Sequence, residues 1–364
     1  MTLRASLDST FLRKTSTSNQ QIDVLDGLRG IAVLLVVLSH LSNLEVHAIP
    51  LFDFRGTGKY GVYLFFVLSA FLLTRPFVTA DRQIAEWSVW RRYAIRRVLR
   101  IFPLYWLVLA TNWFFTEIAP TQAFPTLSTE LWKQHMWMQA GKGLYWTIPV
   151  EFEYYLVIPV FALAVRATRG SLWAITALVV AVIAASSWLW PASQTPQNSL
   201  NLGYYLPVFL IGSYAAVLDA HLPATRSPRF DALVVACFAL VALSFASVAG
   251  TLLGEAPDKS WQHHNYIGFG IVWSTLLLAT LRSREDGWIT RALSSVPLRL
   301  VGIISFSIYL WHVPILRALY MLEIPSAFAT AWIVIAASVS ASMLSYVCIE
   351  RPFLHGAIAR KLLR

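Results

Sequence analysis

The chain has 364 residues, 57% of them hydrophobic and only 13% charged, with a formal net charge of +10. A soluble domain carries about twice that charged fraction, so the composition excludes a soluble globular enzyme. The basic excess would suit nucleic acid, but its distribution along the chain argues for a membrane instead.

Residues 1–22 are polar and Ser/Thr-rich without an apolar core, which reads as a flexible cytoplasmic tail rather than a cleaved signal. Ten apolar runs follow, at about 27–44, 60–78, 101–118, 144–165, 171–190, 203–220, 231–253, 265–281, 300–321 and 326–348. In lipid the backbone must satisfy its own hydrogen bonds, so each run is expected to be a helix. The expected fold is therefore all-α: a polytopic membrane protein with about ten transmembrane helices and an amphipathic interfacial helix. Its transmembrane domain covers 23–350, and 351–364 forms a basic cytoplasmic tail. On alternate connections lie 23 of the 29 Lys and Arg residues. The positive-inside rule then puts both termini in the cytoplasm, with the first run an uncleaved signal anchor.

The first run contains DGLRGIAVLLVVLSH, from Asp26 to His40. On a helix, Arg29 and His40 stand roughly 16 Å apart along the axis. One helix thus carries a cation at one face and an imidazole towards the other. This suits an extended acyl donor, its charged end at Arg29 and its acyl group near His40. Between the second and third runs, DRQIAEWSVWRRYAIRRVLR (81–100) has Trp87, Trp90, Ala94 and Val98 on one face and Arg92, Arg96 and Arg100 in a stripe on another. That pattern reads either as an anchor on anionic lipid or as a phosphate-binding surface, since Arg offers forked donors. The longest external connection, 119–143, carries Trp132, His135 and Trp137.

In the fourth run, GLYWTIPVEFEYYLVIP, Glu151 and Glu153 lie within apolar surroundings, where carboxylates are costly and mark function. Two residues apart on a helix, they cannot face one site, so at most one is catalytic; Pro149 offers a kink that would widen a cavity. Runs five to eight read as scaffold: beyond Asp219 and the His263–His264 pair they carry little ionisable chemistry, and no metal site is expected. Cys237 and Cys348 read as packing residues. The ninth run, SFSIYLWHVPIL, holds Tyr309, Trp311 and His312; Trp311 fits an interfacial belt as well as a site. With this topology His40, Glu151 and His312 are expected at one depth. A neutral imidazole there can take a proton from an attacking hydroxyl, oriented by Glu151 as the third member of a triad.

Five segments carry a family resemblance: DGLRGIAVLLVVLSH, GVYLFFVLSAFLL, RRVLRIFPLYW, WTIPVEFEYYLVIP and SFSIYLWHVPI. In that order they resemble the acyltransferase-3 family of integral-membrane O-acyltransferases, over nearly the whole chain. The resemblance implies acyl-CoA, usually acetyl-CoA, as donor from the cytoplasmic side of a bacterial inner membrane, and a hydroxyl of a sugar or glycan as acceptor beyond it. It implies His40 as general base or acyl carrier and Glu151 as the acidic partner. Arg29, Arg96, Arg97 and Arg100 are implied in donor binding, with Asp26, Ser69, Trp146, Tyr309, Trp311 and His312 in support. Two positions depart from the family pattern: Tyr63 replaces a common Asp, implying different acceptor contacts, and Ala70 replaces a common Gly, implying looser packing. The expected form is stand-alone, without a C-terminal SGNH esterase-like domain. A transporter or flippase of a small anion or lipid-linked sugar is the alternative, since it too would carry intramembrane His and Glu; against it, no internal repeat is visible.

Overall fold

The computed structural model describes residues 20–50, 52–79, 84, 86–120, 127–254 and 260–363. The expected tail 1–22 therefore lies outside the described residues up to residue 19, while 20–22 already belong to the first helix. The described residues are helical throughout, without strands. In order they form α1 (Gln20–Ser42), α2 (Gly58–Thr79), α3 (Trp87–Glu117), α4 (Thr129–Met136), a 3₁₀ turn (Gly143–Trp146), α5 (Thr147–Ala167), α6 (Leu172–Leu189) and α7 (Leu202–His221). Then come α8 (Pro228–Leu243), α9 (Ala246–Leu253), α10 (Trp261–His264), α11 (Tyr266–Arg282), α12 (Trp288–Leu293), α13 (Val296–Ile303), α14 (Ser305–Tyr320), α15 (Ala327–Ser345), a π-helical turn (Tyr346–Glu350), α16 (Arg351–His355) and α17 (Ala357–Leu362).

Local chemistry sets several starts. The side chains of Ser128, Ser171, Asn201, Ser227 and Ser326 each accept a backbone N–H at the N-cap of α4, α6, α7, α8 and α15. Pro228 occupies the first turn of α8, where its missing N–H costs nothing.

Among the described residues, seven helices are long and apolar enough to cross a membrane. Two more segments pass as bent pairs, Pro228–Leu243 with Ala246–Leu252 at 84° and Val296–Ile303 with Ser305–Tyr320 at 79°, while Tyr266–Arg282 is a shorter apolar helix. Each of the ten apolar runs thus falls on one helix or bent pair, and the protein is a polytopic, all-helical integral membrane protein.

The third span departs from expectation. No break separates 87–100 from 101–118; α3 is one helix of 31 residues with Pro103 inside it. At about 1.5 Å per residue it is about 46 Å long, beyond the roughly 30 Å apolar thickness of a bilayer. The Arg-rich turns are therefore an extension of the span, not a separate helix lying on the surface. The basic C-terminal stretch also folds back, with α16 and α17 packed on α3 and Arg91 donating to the Leu362 carbonyl at 3.4 Å.

The core is built on α2, which packs along α1 and α7. Close backbone approach fixes two crossings. A Cβ at Gly302 would lie 1.8 Å from the Asp26 carbonyl oxygen, so α13 meets α1 backbone to backbone. A Cβ at Gly212 would lie 2.6 Å from the Val67 oxygen and 3.0 Å from the Ala70 methyl. The looser packing expected at Ala70 is not found: that residue is fully buried, because Gly212 on α7 leaves room for its methyl.

Candidate active site

The site lies where α1, α2, α3, α5 and α14 converge. A cavity of about 90 Å³ is lined there by Arg29 of α1, Ser69 of α2, Arg97 and Arg100 of α3, Glu151 and Tyr155 of α5 and Tyr309 of α14, among apolar neighbours. The break between α13 and α14 brings Ser305 and Phe306 to its wall. A second, larger cavity of about 510 Å³ adjoins it, lined by Arg92, Tyr93, Arg96 and Arg97 of α3 with Phe77 and Glu86. Leu72, Leu73 and Arg97 line both cavities, so the two share a wall. Phe77 stacks on Trp90 at 4.8 Å and meets Tyr93 edge-on at 5.8 Å.

Glu151 and Glu153 diverge as the helical spacing requires: Glu151 lines the cavity and Glu153 is exposed. The Glu151 Oε1 accepts from Ser69 Oγ at 2.7 Å and from Tyr155 Oη at 2.8 Å. Among the described residues no side chain is bonded to its Oε2, and at the cavity wall Arg29 and Glu151 act on one another as opposite charges. Asp26, one turn before Arg29, lies beside Arg29 and Arg299. The Arg97 guanidinium lies 5.8 Å from the Tyr155 ring centroid and 6.0 Å from that of Tyr93, a cation–π placement. Arg100 is held by Glu350 at 2.6 Å, whose other oxygen accepts from Ser307. Arg96 is exposed and belongs to the larger cavity alone.

His40 and His312 meet across α1 and α14. His312 is fully buried, and its Nε2 stands 2.8 Å from His40 Nδ1. The expected bond between Glu151 and His40 is absent among the described residues. The carboxylate is taken up by Ser69 and Tyr155, and the group that meets His40 is a second imidazole. Tyr309 lies between the two sets: it lines the cavity with Glu151, and its ring centroid is 6.1 Å from that of His312. Its hydroxyl donates to the Leu144 carbonyl at 2.6 Å and accepts from Thr147 Oγ1 at 2.9 Å.

Two expected site residues turn elsewhere. Trp146 is buried against Phe66 and Tyr205. Trp311 donates to Ser345 Oγ at 3.2 Å and lines a separate apolar groove between α3, α14 and α15. Tyr63, the departure from the family pattern, is fully buried and donates to the Gln262 carbonyl at 3.4 Å.

Two residues escaped the sequence reading. Tyr155 follows Glu151 by four residues, the spacing that places two side chains on one helical face. Glu350 is a carboxylate at the end of an apolar run, a costly position that itself signals a nearby cation. Its π-helical turn, which aims it at Arg100, leaves no trace in composition.

Against known proteins, a family model described as an acyltransferase domain matches residues 22–350. The chain belongs to that family, acyltransferase-3, and is a membrane acyltransferase. It is 28% identical over 367 residues to a putative membrane-bound transacylase, BcsY, of Komagataeibacter xylinus, covering 96% of this chain and 86% of that protein. It is 24% identical to the peptidoglycan O-acetyltransferase OatA of Listeria monocytogenes, covering 93% of this chain and 57% of the relative. It is also 24% identical to the putative peptidoglycan O-acetyltransferase YrhL of Bacillus subtilis, covering 82% of this chain and 49% of the relative. The chain thus spans about half the length of these last two. No solved structure matches.

Proposed function

We propose that this acyltransferase moves an acetyl group from acetyl-CoA, taken up on the cytoplasmic side of a bacterial inner membrane, to a hydroxyl of a sugar or glycan on the far side. One observation carries the reading: a cationic cavity shares a wall with a smaller one lined by Tyr309, whose ring centroid lies 6.1 Å from that of His312, the residue that meets His40. A donor with phosphates at one end and a thioester at the other fits that order. Its phosphates lie among Arg92, Arg96 and Arg97, its arm passes Leu72 and Leu73, and its amide N–H groups find an acceptor in Glu151 Oε2. Arg29 and Arg100 hold the remaining anionic oxygens. Glycan acceptors are favoured by the relatives named for peptidoglycan.

In the chemical step the acceptor oxygen attacks the thioester carbonyl while its proton passes to His40. The carbon–sulfur bond then breaks, and the departing thiolate takes that proton, leaving an ester and free CoA. A positioned base of this kind is worth about 10²–10⁴ in rate.

The test uses purified protein in liposomes with acetyl-labelled acetyl-CoA and a soluble glycan fragment. Thioester cleavage that depends on acceptor is expected, with Arg97→Gln raising KM for the donor. Label that crosses the membrane uncleaved would overturn the reading in favour of transport.

A further inference from the structure

Hydrogen bonding around His312 fixes where the protons of the pair reside. Its Nδ1 faces the Ile308 carbonyl at 3.0 Å and the Tyr309 carbonyl at 2.8 Å. Carbonyl oxygens only accept, so Nδ1 carries the hydrogen. In a neutral imidazole the other nitrogen then has a lone pair and no hydrogen. His312 Nε2 is that nitrogen, and it stands 2.8 Å from His40 Nδ1. Two lone pairs cannot face each other at this distance, so His40 Nδ1 must donate. The open lone pair of His40 is therefore on Nε2, the nitrogen that bonds to no side chain among the described residues.

We propose that His312 is a positioning residue for the transfer reaction: it holds His40 in the Nδ1–H tautomer and so presents Nε2 as the base. The inference rests on the acyl-transfer reading above for its consequence, but not for the tautomer itself. His312 sits at the third position of a Ser–His–Asp triad, where a neutral acceptor replaces the carboxylate. When Nε2 takes the acceptor's proton, His40 becomes cationic, and its Nδ1–H bond to His312 strengthens as a charge-assisted one. The proton leaves again from Nε2 to the CoA sulfur, so His312 keeps its own hydrogen throughout. Its two carbonyl partners lie on its own helix, three and four residues back, so α14 sets the ring's orientation before any substrate arrives. The Val36 carbonyl, one turn before His40 on α1, is the competing acceptor for that imidazole.

The experiment compares His312→Leu with His312→Gln, whose amide can donate to the helix carbonyls and accept from His40. The Leu variant should lose about 10²–10⁴ in kcat, the range for a base whose tautomer is no longer fixed. Its KM for acetyl-CoA should stay unchanged, and the Gln variant should recover most of the rate. A Leu variant within a few-fold of wild type would overturn the proposal, because Val36 would then suffice. Equal loss in both variants with a raised KM would also overturn it, pointing to packing alone. Nitrogen-15 NMR of histidine-labelled wild-type protein decides the matter independently of variant folding and of activity. Both imidazoles should show protonated Nδ1, and a protonated Nε2 on His40 would overturn the assignment. Wild-type protein that cleaves no acetyl-CoA would reject the donor reading, and the NMR result would still decide the tautomer.

Discussion

His40 is built differently from the buried imidazoles His135 and His263. In the connection between α3 and α5, buried His135 donates from Nδ1 to the Leu131 carbonyl at 2.7 Å and accepts the Lys142 N–H on Nε2 at 3.0 Å. Buried His263 likewise uses both nitrogens, Nδ1 at 3.0 Å from the Tyr204 hydroxyl and Nε2 donating to the Thr195 carbonyl at 2.8 Å. Each clips one stretch of backbone to another. His40 has one nitrogen taken up by His312 and is half-buried rather than sealed. A histidine whose nitrogens are both engaged holds backbone or a neighbouring ring in place; one that keeps a lone pair unbonded is equipped for proton transfer.

That contrast can be broken at either end. The largest effect should come from His40→Ala: turnover falls by about 10²–10⁴, while the thermal midpoint of the detergent-solubilised protein barely moves. A midpoint that drops with activity would class His40 with the clips.

Glu350→Met comes next, because it leaves Arg100 without its counter-charge at a site where each side chain is largely buried. Removing one partner of such a pair costs about 3–5 kcal/mol, whereas replacing both by apolar residues is often neutral. The double variant Glu350→Met/Arg100→Met should therefore regain its thermal midpoint and still show a raised donor KM. Recovery of both would remove Arg100 from the donor site.

His135→Ala should cost about 1–3 kcal/mol, through the buried backbone groups left unpaired, with transfer activity intact. Chemical denaturation and the liposome assay read the two effects separately. The smallest effect is in pH. Burial pushes the His135 imidazole below its ordinary 6.5, so the folded segment binds fewer protons than the open chain. Its contribution is fully present above 6.5 and declines as pH falls below that value towards the lowered one. Hydrogen exchange at the Lys142 amide, corrected for intrinsic rate, should therefore quicken between about pH 7.5 and about pH 5.5. An unchanged rate would mean that His135 accepts the proton without breaking its clip.

Much of this was legible in the chain. The ten apolar runs each found their helix or bent pair because hydrophobic length is a strong signal in lipid. Arg29, Ser69, Arg97, Arg100, Glu151 and Tyr309 do line one cavity, and His40 does meet His312. The pairing between these groups was not legible. Equal depth suggested that Glu151 would orient His40, but depth leaves the rotation of each helix open, and rotation decides which side chains touch. The continuity of α3 was hidden for a related reason: a change from polar to apolar composition marks where a helix enters lipid, not where it ends. Trp311 carried an ambiguous pattern from the start, and its indole turned towards α15.

The last span carries one turn of π-helix, Tyr346–Glu350. Each residue advances a helix by about 100°, and π-helical turns of this kind add a residue to the count, often at functional sites. The extra step at Tyr346–Glu350 shifts the phase of the last span, so that an acidic side chain there points inward at a guanidinium from α3. The C-terminal end of the chain thereby works as a latch whose fit depends on register, and a change of one residue in its length would dial the carboxylate away from Arg100 while leaving every apolar face upstream where it was.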